Sequence, residues 1–144
     1  MGMYEKILVC LDLADDCETV ATRARDIARH CGGEITLLHV VEYVPVEPMG
    51  EALLPAVQIE GELVERARKR MDEVTGKLGL EKCESLVNTG NIKTEVVRVA
   101  QDRGSDLIVI GSRGRHGVSI LFNFTEDTVL HGAPCDVMAV RLQK

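Results

Sequence analysis

Two segments of the chain are apolar without alternation: Lys6-Ile-Leu-Val-Cys-Leu-Asp12 and Asp106-Leu-Ile-Val-Ile-Gly111. A strand with one wet face alternates apolar and polar residues, whereas an unbroken apolar run suits a strand covered on both faces. Such strands belong to parallel sheets, in which every connection is a crossover, usually a helix. The sequence supplies these crossovers. Residues 16–31 place Cys17, Val20, Ala24, Ile27, Ala28 and Cys31 on one helical face, and Gly32-Gly33 ends the helix. Residues 34–41 form a second strand. A long connection from Glu42 to Pro55, with Pro45, Pro48 and Gly50, has a length usually tied to function. A helix over 57–78 follows, its apolar stripe running from Ile59 through Leu63, Ala67, Met71 and Val74 to Leu78. Its opposite face is a solvated charged surface. Then come a weaker strand at 83–88, a helix over 92–103 and the strand at 106–111. A glycine loop, a short helix over 124–131 and a last strand at 136–142 complete the order βαβαβαβαβ. Right-handed crossovers make this a five-stranded parallel sheet with helices on both faces, a doubly wound α/β fold in one domain over 1–144. No internal repeat appears.

Composition excludes several functions. Hydrophobic residues are 45% of the 144, enough for a packed core and too many for default disorder. A formal net charge of −6 argues against nucleic-acid binding through phosphate backbones. Two Tyr, two Phe and no Trp leave no aromatic platform for stacking bases. No apolar run approaches the roughly 20 residues that span a bilayer, so no membrane segment is expected. The amino terminus lacks the apolar region of a signal peptide, which makes a cytoplasmic location the expectation. The five cysteines (Cys10, Cys17, Cys31, Cys83 and Cys135) never fall in a Cys-x-x-Cys spacing. They are expected as reduced thiols acting as small hydrophobes, with no disulfide and no metal site.

In open α/β sheets, ligands sit beyond the carboxyl ends of the strands, where strand order reverses. The first strand ends in Asp12 and the fourth in Gly111-Ser-Arg-Gly-Arg-His-Gly117. Three glycines permit positive φ and close approach, so that backbone N–H groups can converge on an oxyanion. Arg113, Arg115 and His116 add positive charge, and the Asp12 carboxylate suits ribose hydroxyls or an exocyclic amine. On these residues alone the loop reads equally as a phosphate cradle or as a plain surface loop. It matches neither the P-loop pattern nor the dinucleotide fingerprint. His39, in an apolar strand, reads as a satisfied core histidine. His30 and His131 end helices, where a cation suits the dipole. Cys17 opens a helix but stands among Asp15, Asp16 and Glu18, the wrong setting for a nucleophilic thiolate.

Four segments taken together resemble universal stress proteins of the UspA-like kind. They are Tyr4-Glu-Lys-Ile-Leu-Val-Cys-Leu-Asp12, Thr36-Leu-Leu-His-Val-Val41, Ser105 through Gly117, and Val129-Leu-His-Gly-Ala-Pro-Cys135. The resemblance runs through nearly the whole chain. It implies strand order 3-2-1-4-5, with the first and fourth strands at the switch point, and a cytoplasmic homodimer paired through the last strand. It also implies a place for ATP or AMP, with Asp12 at the ribose and Val40 at the adenine. Family members that hold ATP carry Gly-x2-Gly, eight or nine residues, then Gly-Ser/Thr at the start of the last helix. Gly111 and Gly114, with Arg113 and Arg115 beside them, match the first half.

The second half departs from that pattern. Eight residues on stands Asn123-Phe124, and nine residues on stands Phe124-Thr125. The missing glycine is where bare backbone N–H groups would meet phosphate. Asn123, with Glu126 three residues on, reads as a helix cap that bonds its own amide groups. Glu126 and Asp127 put negative charge where a triphosphate needs positive potential. The expected function is a stress-response binding module, not an enzyme, with adenine-nucleotide sensing through a degenerate site and weak or absent ATP binding. Two alternatives stay open: a regulatory dimer that binds no nucleotide and acts through protein contacts, and a slow ATP-hydrolysing enzyme.

Overall fold

The computed structural model describes residues 3–14, 16–42, 53–112 and 131–142, with side chains in the third stretch from residue 60 onward. Among the described residues eight elements follow one another: β1 (Lys6–Cys10), α1 (Cys17–Cys31), β2 (Glu34–Val41), α2 (Leu53–Leu78), β3 (Glu84–Thr89), α3 (Ile92–Arg103), β4 (Leu107–Ser112) and β5 (Asp136–Arg141). All strand pairs are parallel, and the sheet order is β3-β2-β1-β4-β5. The chain steps outward from β1 to β2 and β3, then returns across β1 to β4. The direction of winding therefore reverses between β1 and β4.

The unbroken apolar runs are the strands with two covered faces. Every residue of β4 is buried, as are Ile7, Leu8 and Val9 of β1. Alternate residues feed two cores. On one side Ile7, Val9, Ile35, Leu37 and Val109 meet α1 and α2, which contribute Val20, Ala24, Met71 and Val74. On the other, Leu8, Leu38, Val40, Ile108 and Ile110 meet Val96, Val99 and Ala100 of α3. Among the described crossovers, α1 and α2 lie on one face and α3 on the other, as right-handed connections require on either side of the switch. β3 and β5 are the edges, and their half-exposed residues explain why 83–88 reads as a weak strand.

Element ends follow local chemistry. Gly32 takes φ 71° and its N–H reaches Ala28 O, so α1 stops at the expected glycine. Asn91 caps α3 by accepting from the Thr94 amide at 3.1 Å. Helix α2 begins at Leu53, earlier than the expected 57, and takes in Pro55. Proline is tolerated there because the first-turn N–H groups have no partner within the helix. At the amino ends of the strands, the Asp106 carboxylate accepts from the amides of Glu5 (2.9 Å) and Lys6 (3.0 Å). Among the described residues, no helix is long and apolar enough to cross a membrane.

Candidate functional site

The carboxyl ends of β1 and β2 part in an orderly way. Their register closes at Cys10↔Leu38, and the Leu11 amide adds one further bond to Leu38 O at 2.9 Å. In a parallel ladder, both backbone groups of one residue face the same neighbouring strand, and the next residue faces the other. Leu38 faces β1, and Val41, whose carbonyl accepts from the Gly90 amide at 3.1 Å, faces β3. By that alternation the N–H and C=O of Val40 point to the β1 side, past the last registered pair. The Val40 side chain goes into the core under α3 and is 7% exposed. Its backbone, and not its side chain, is what faces the crevice.

Beyond Leu11 the chain turns sharply. Leu13 has φ 60°, a left-handed conformation that leucine adopts at a cost of roughly 1–2 kcal/mol. Asp12 closes this turn by accepting from the Ala14 amide through Oδ1 at 3.0 Å, and the Cys17 amide then reaches Ala14 O at 3.1 Å. His39, on β2, brings Nδ1 to 2.7 Å from the Leu11 carbonyl. The histidine is satisfied, as its apolar strand suggests, but it is half-buried and bonded at the rim of the crevice. Leu13 and the His39 contact escape sequence reasoning, since leucine is a poor left-handed residue and nothing local marks the turn.

Gly111 has a packing role that its loop does not suggest. It lies inside β4, buried and extended, without positive φ. A Cβ there would come within 2.8 Å of Leu142 Cδ1 and 3.0 Å of Val20 Cγ2. The glycine is therefore explained by close packing of α1 and the segment after β5 onto β4. Gly111→Ala should lower stability by about 1–3 kcal/mol in denaturant unfolding, since Val20 and Leu142 are both buried and Val20 is stiff. A neutral outcome would show that both neighbours yield freely. Arg113, Gly114, Arg115, Asn123, Phe124 and Thr125 lie outside the described residues, as do His116, Gly117, Glu126 and Asp127. The structure thus brings Asp12, Val40 and the last residues of β4 to one end of the sheet.

The cysteines carry no sign of nucleophilic use. All five are free thiols. Burial pushes Cys10 up to about 12 and is the main cause that brings Cys17 to about 11, where Arg70 opposes it and Asp12, Glu18 and Asp16 add to it. Thiol titration in denaturant should count five per chain, with Cys10 and Cys17 reacting far more slowly in the folded protein. A count below five would reveal a missed disulfide. Among the described residues, no three His, Cys, Asp or Glu side chains form a metal cluster.

A groove of about 890 Å³ lies at the opposite, amino end of the sheet. Its basic rim includes Arg29 and Arg103, which stand in the last turns of α1 and α3 and complement the negative helix ends. Arg25 donates to the Leu78 carbonyl at 3.0 Å, and Arg103 pairs with Glu84. These cations serve helix ends and surface pairs. The crevice at the switch point remains the candidate site.

The family model described as "Universal stress protein family" matches residues 3–141. Universal stress protein A homolog 2 of Coxiella burnetii is 35% identical over 144 residues, covering 99% of both chains. Universal stress protein UspA from Lactobacillus plantarum is similar in structure, with TM-score 0.81 and 24% identity over 98% of this chain and 100% of its own. A universal stress protein in complex with cAMP gives TM-score 0.64 at 19% identity, covering 97% and 98%. The protein from Archaeoglobus fulgidus in complex with dAMP gives TM-score 0.63 at 19% identity, covering 96% and 98%.

Proposed function

The chain belongs to the universal stress protein family, and on that premise we propose that it is a non-enzymatic module that binds an adenosine monophosphate at the switch point. The observation that carries this reading is the Val40 backbone, whose donor and acceptor face the crevice past the end of the β1–β2 register. One amide N–H and one C=O on an extended strand offer the pair that the adenine edge needs, N1 accepting and the exocyclic amine donating. Asp12, two residues beyond β1, supplies a carboxylate for ribose hydroxyls at the same strand ends. A carboxylate accepts through two oxygens, so its bond to the Ala14 amide is compatible with that role. Two structural neighbours are complexes with cAMP and dAMP, each carrying a single phosphate. That agrees with a site whose first glycine pair is present and whose second-half glycine is replaced by Asn123 or Phe124. Isothermal titration with AMP and ATP, with and without magnesium, tests the reading: AMP should bind, and prolonged incubation with ATP should release no phosphate. Absence of any AMP binding would favour the regulatory dimer, and steady turnover would favour an enzyme.

A cytoplasmic homodimer is part of the same proposal. β5 is an edge strand, and unpaired edge backbone invites a second copy. Light scattering at tens of micromolar should give the mass of two chains. A charged substitution at Ala139, exposed on that strand, should shift the mass toward one chain. A monomer in the unmodified protein would overturn the assembly.

A further inference from the structure

We propose that His39 is a positioning residue: its Nδ1–H takes the Leu11 carbonyl in place of the next ladder rung and so keeps the Val40 backbone turned open to the crevice. The parallel ladder between β1 and β2 would continue, after the Leu11 amide to Leu38 O, with the Val40 amide donating to Leu11 O. That carbonyl instead has imidazole Nδ1 at 2.7 Å, a short distance for a nitrogen donor. A carbonyl oxygen only accepts, so the Nδ1 atom must carry the hydrogen, which leaves Nε2 as the bare nitrogen of the neutral ring.

The replacement has a structural consequence. A backbone rung would draw Leu11 and Asp12 flat against β2 and bury the Val40 amide between them. The imidazole holds the same carbonyl from the α1 and α2 side of the sheet, where Leu37 and Ile35, two and four residues away, also point. The chain is then free to turn at Leu13 (φ 60°), a conformation stabilised from the other side by the Asp12 to Ala14 bond. A left-handed leucine persists only where its surroundings over-determine it, and here two side-chain bonds bracket it. His39 acts through Leu11 and Asp12 and touches no nucleotide itself. The inference deepens the adenine reading and rests on it for its effect on affinity, but not for the geometry at Leu11.

The test separates the two. In the unliganded protein, nitrogen NMR of the imidazole should show Nδ1 protonated and Nε2 bare, and the Val40 amide should exchange faster than those of Leu37 and Leu38. An Nε2–H tautomer, or a Val40 amide as protected as its neighbours, overturns the proposal whether or not nucleotide binds. His39→Leu should then raise Val40 protection and weaken AMP binding roughly tenfold, the loss of one well-placed polar contact at about 1.4 kcal/mol per decade. His39→Asn, whose side-chain amide can donate from nearly the same place as Nδ1, should restore most of both. Equal AMP affinity in His39→Leu and the unmodified protein would refute the positioning role. If AMP binds neither, the adenine reading fails, and the tautomer and exchange measurements still decide the geometry.

Discussion

In calorimetric titration AMP should bind more tightly than ATP, and the pair Asn123→Gly and Phe124→Ser should reverse that order. Affinity for a triphosphate depends on backbone N–H groups that converge at a helix start, each bond to a charged group contributing roughly 1.5–3 kcal/mol. With the glycine replaced and Asn123 expected to bond its own helix, the absence of two such hydrogen bonds weakens binding by roughly two to four orders of magnitude. Glu126 and Asp127 work in the same direction, because they place negative charge near the expected helix start. In the proposed site AMP relies on the Val40 backbone, Asp12 and the Gly111–Gly114 segment, and none of these is altered by the departure. Asp12→Ala should weaken AMP by roughly 10–100-fold. Asp12→Asn should weaken it less, because the side-chain oxygen still accepts from the Ala14 amide and keeps the turn. Sub-micromolar binding of ATP to the unmodified protein would refute this account of Asn123 and Phe124.

The framework was legible because its signals are physical and local. Unbroken apolar runs mark β1 and β4 as strands covered on two faces, and both are buried on two faces. Glycine placed α1's end within a residue, since Gly32 adopts the left-handed φ that ends a helix. Asp12 and Gly111 reach the carboxyl ends of neighbouring strands because the strand order puts β1 beside β4. What stayed hidden depends on tertiary contact. The packing role of Gly111 needs Leu142 and Val20, which lie 31 and 91 positions away in the chain. The link from His39 to Leu11 spans 28 residues, and no periodicity records it. Val40 shows the difference most clearly: its apolar side chain says core, while the group that the proposed site uses is a backbone pair that every residue but proline possesses.

Gly33→Ala should destabilise the fold by about 3 kcal/mol, and Gly32→Ala by only about 1 kcal/mol, although the sequence reads the two glycines as one helix stop. Gly32 has φ 71° with nothing within 4 Å of an added Cβ, so its substitution carries backbone strain and no clash. Gly33 has no positive φ, yet a Cβ there would stand 2.5 Å from the Tyr4 carbonyl oxygen and 3.3 Å from Ile7 Cδ1. The obstructing atom is backbone and is tethered on both sides. The Tyr4 hydroxyl donates to Asp136 Oδ2 at 2.9 Å, and the next amide, that of Glu5, donates to Asp106 Oδ2 at 2.9 Å. Gly33 is itself held where the chain enters β2, its amide on Ala28 O at 3.0 Å and that of Glu34 on Glu5 O at 2.8 Å. Neither side can retreat without breaking a bond that aligns β1, β2 and β4 at their amino ends. In thermal unfolding the loss should read as roughly 10 °C for Gly33→Ala against roughly 4 °C for Gly32→Ala. Combining Gly33→Ala with Asp106→Ala should cost less than the sum of the two, because releasing the Glu5 amide lets Tyr4 move. Equal losses for the two glycines, or strict additivity in the double variant, would show that the strand entry yields where the geometry says that it is pinned.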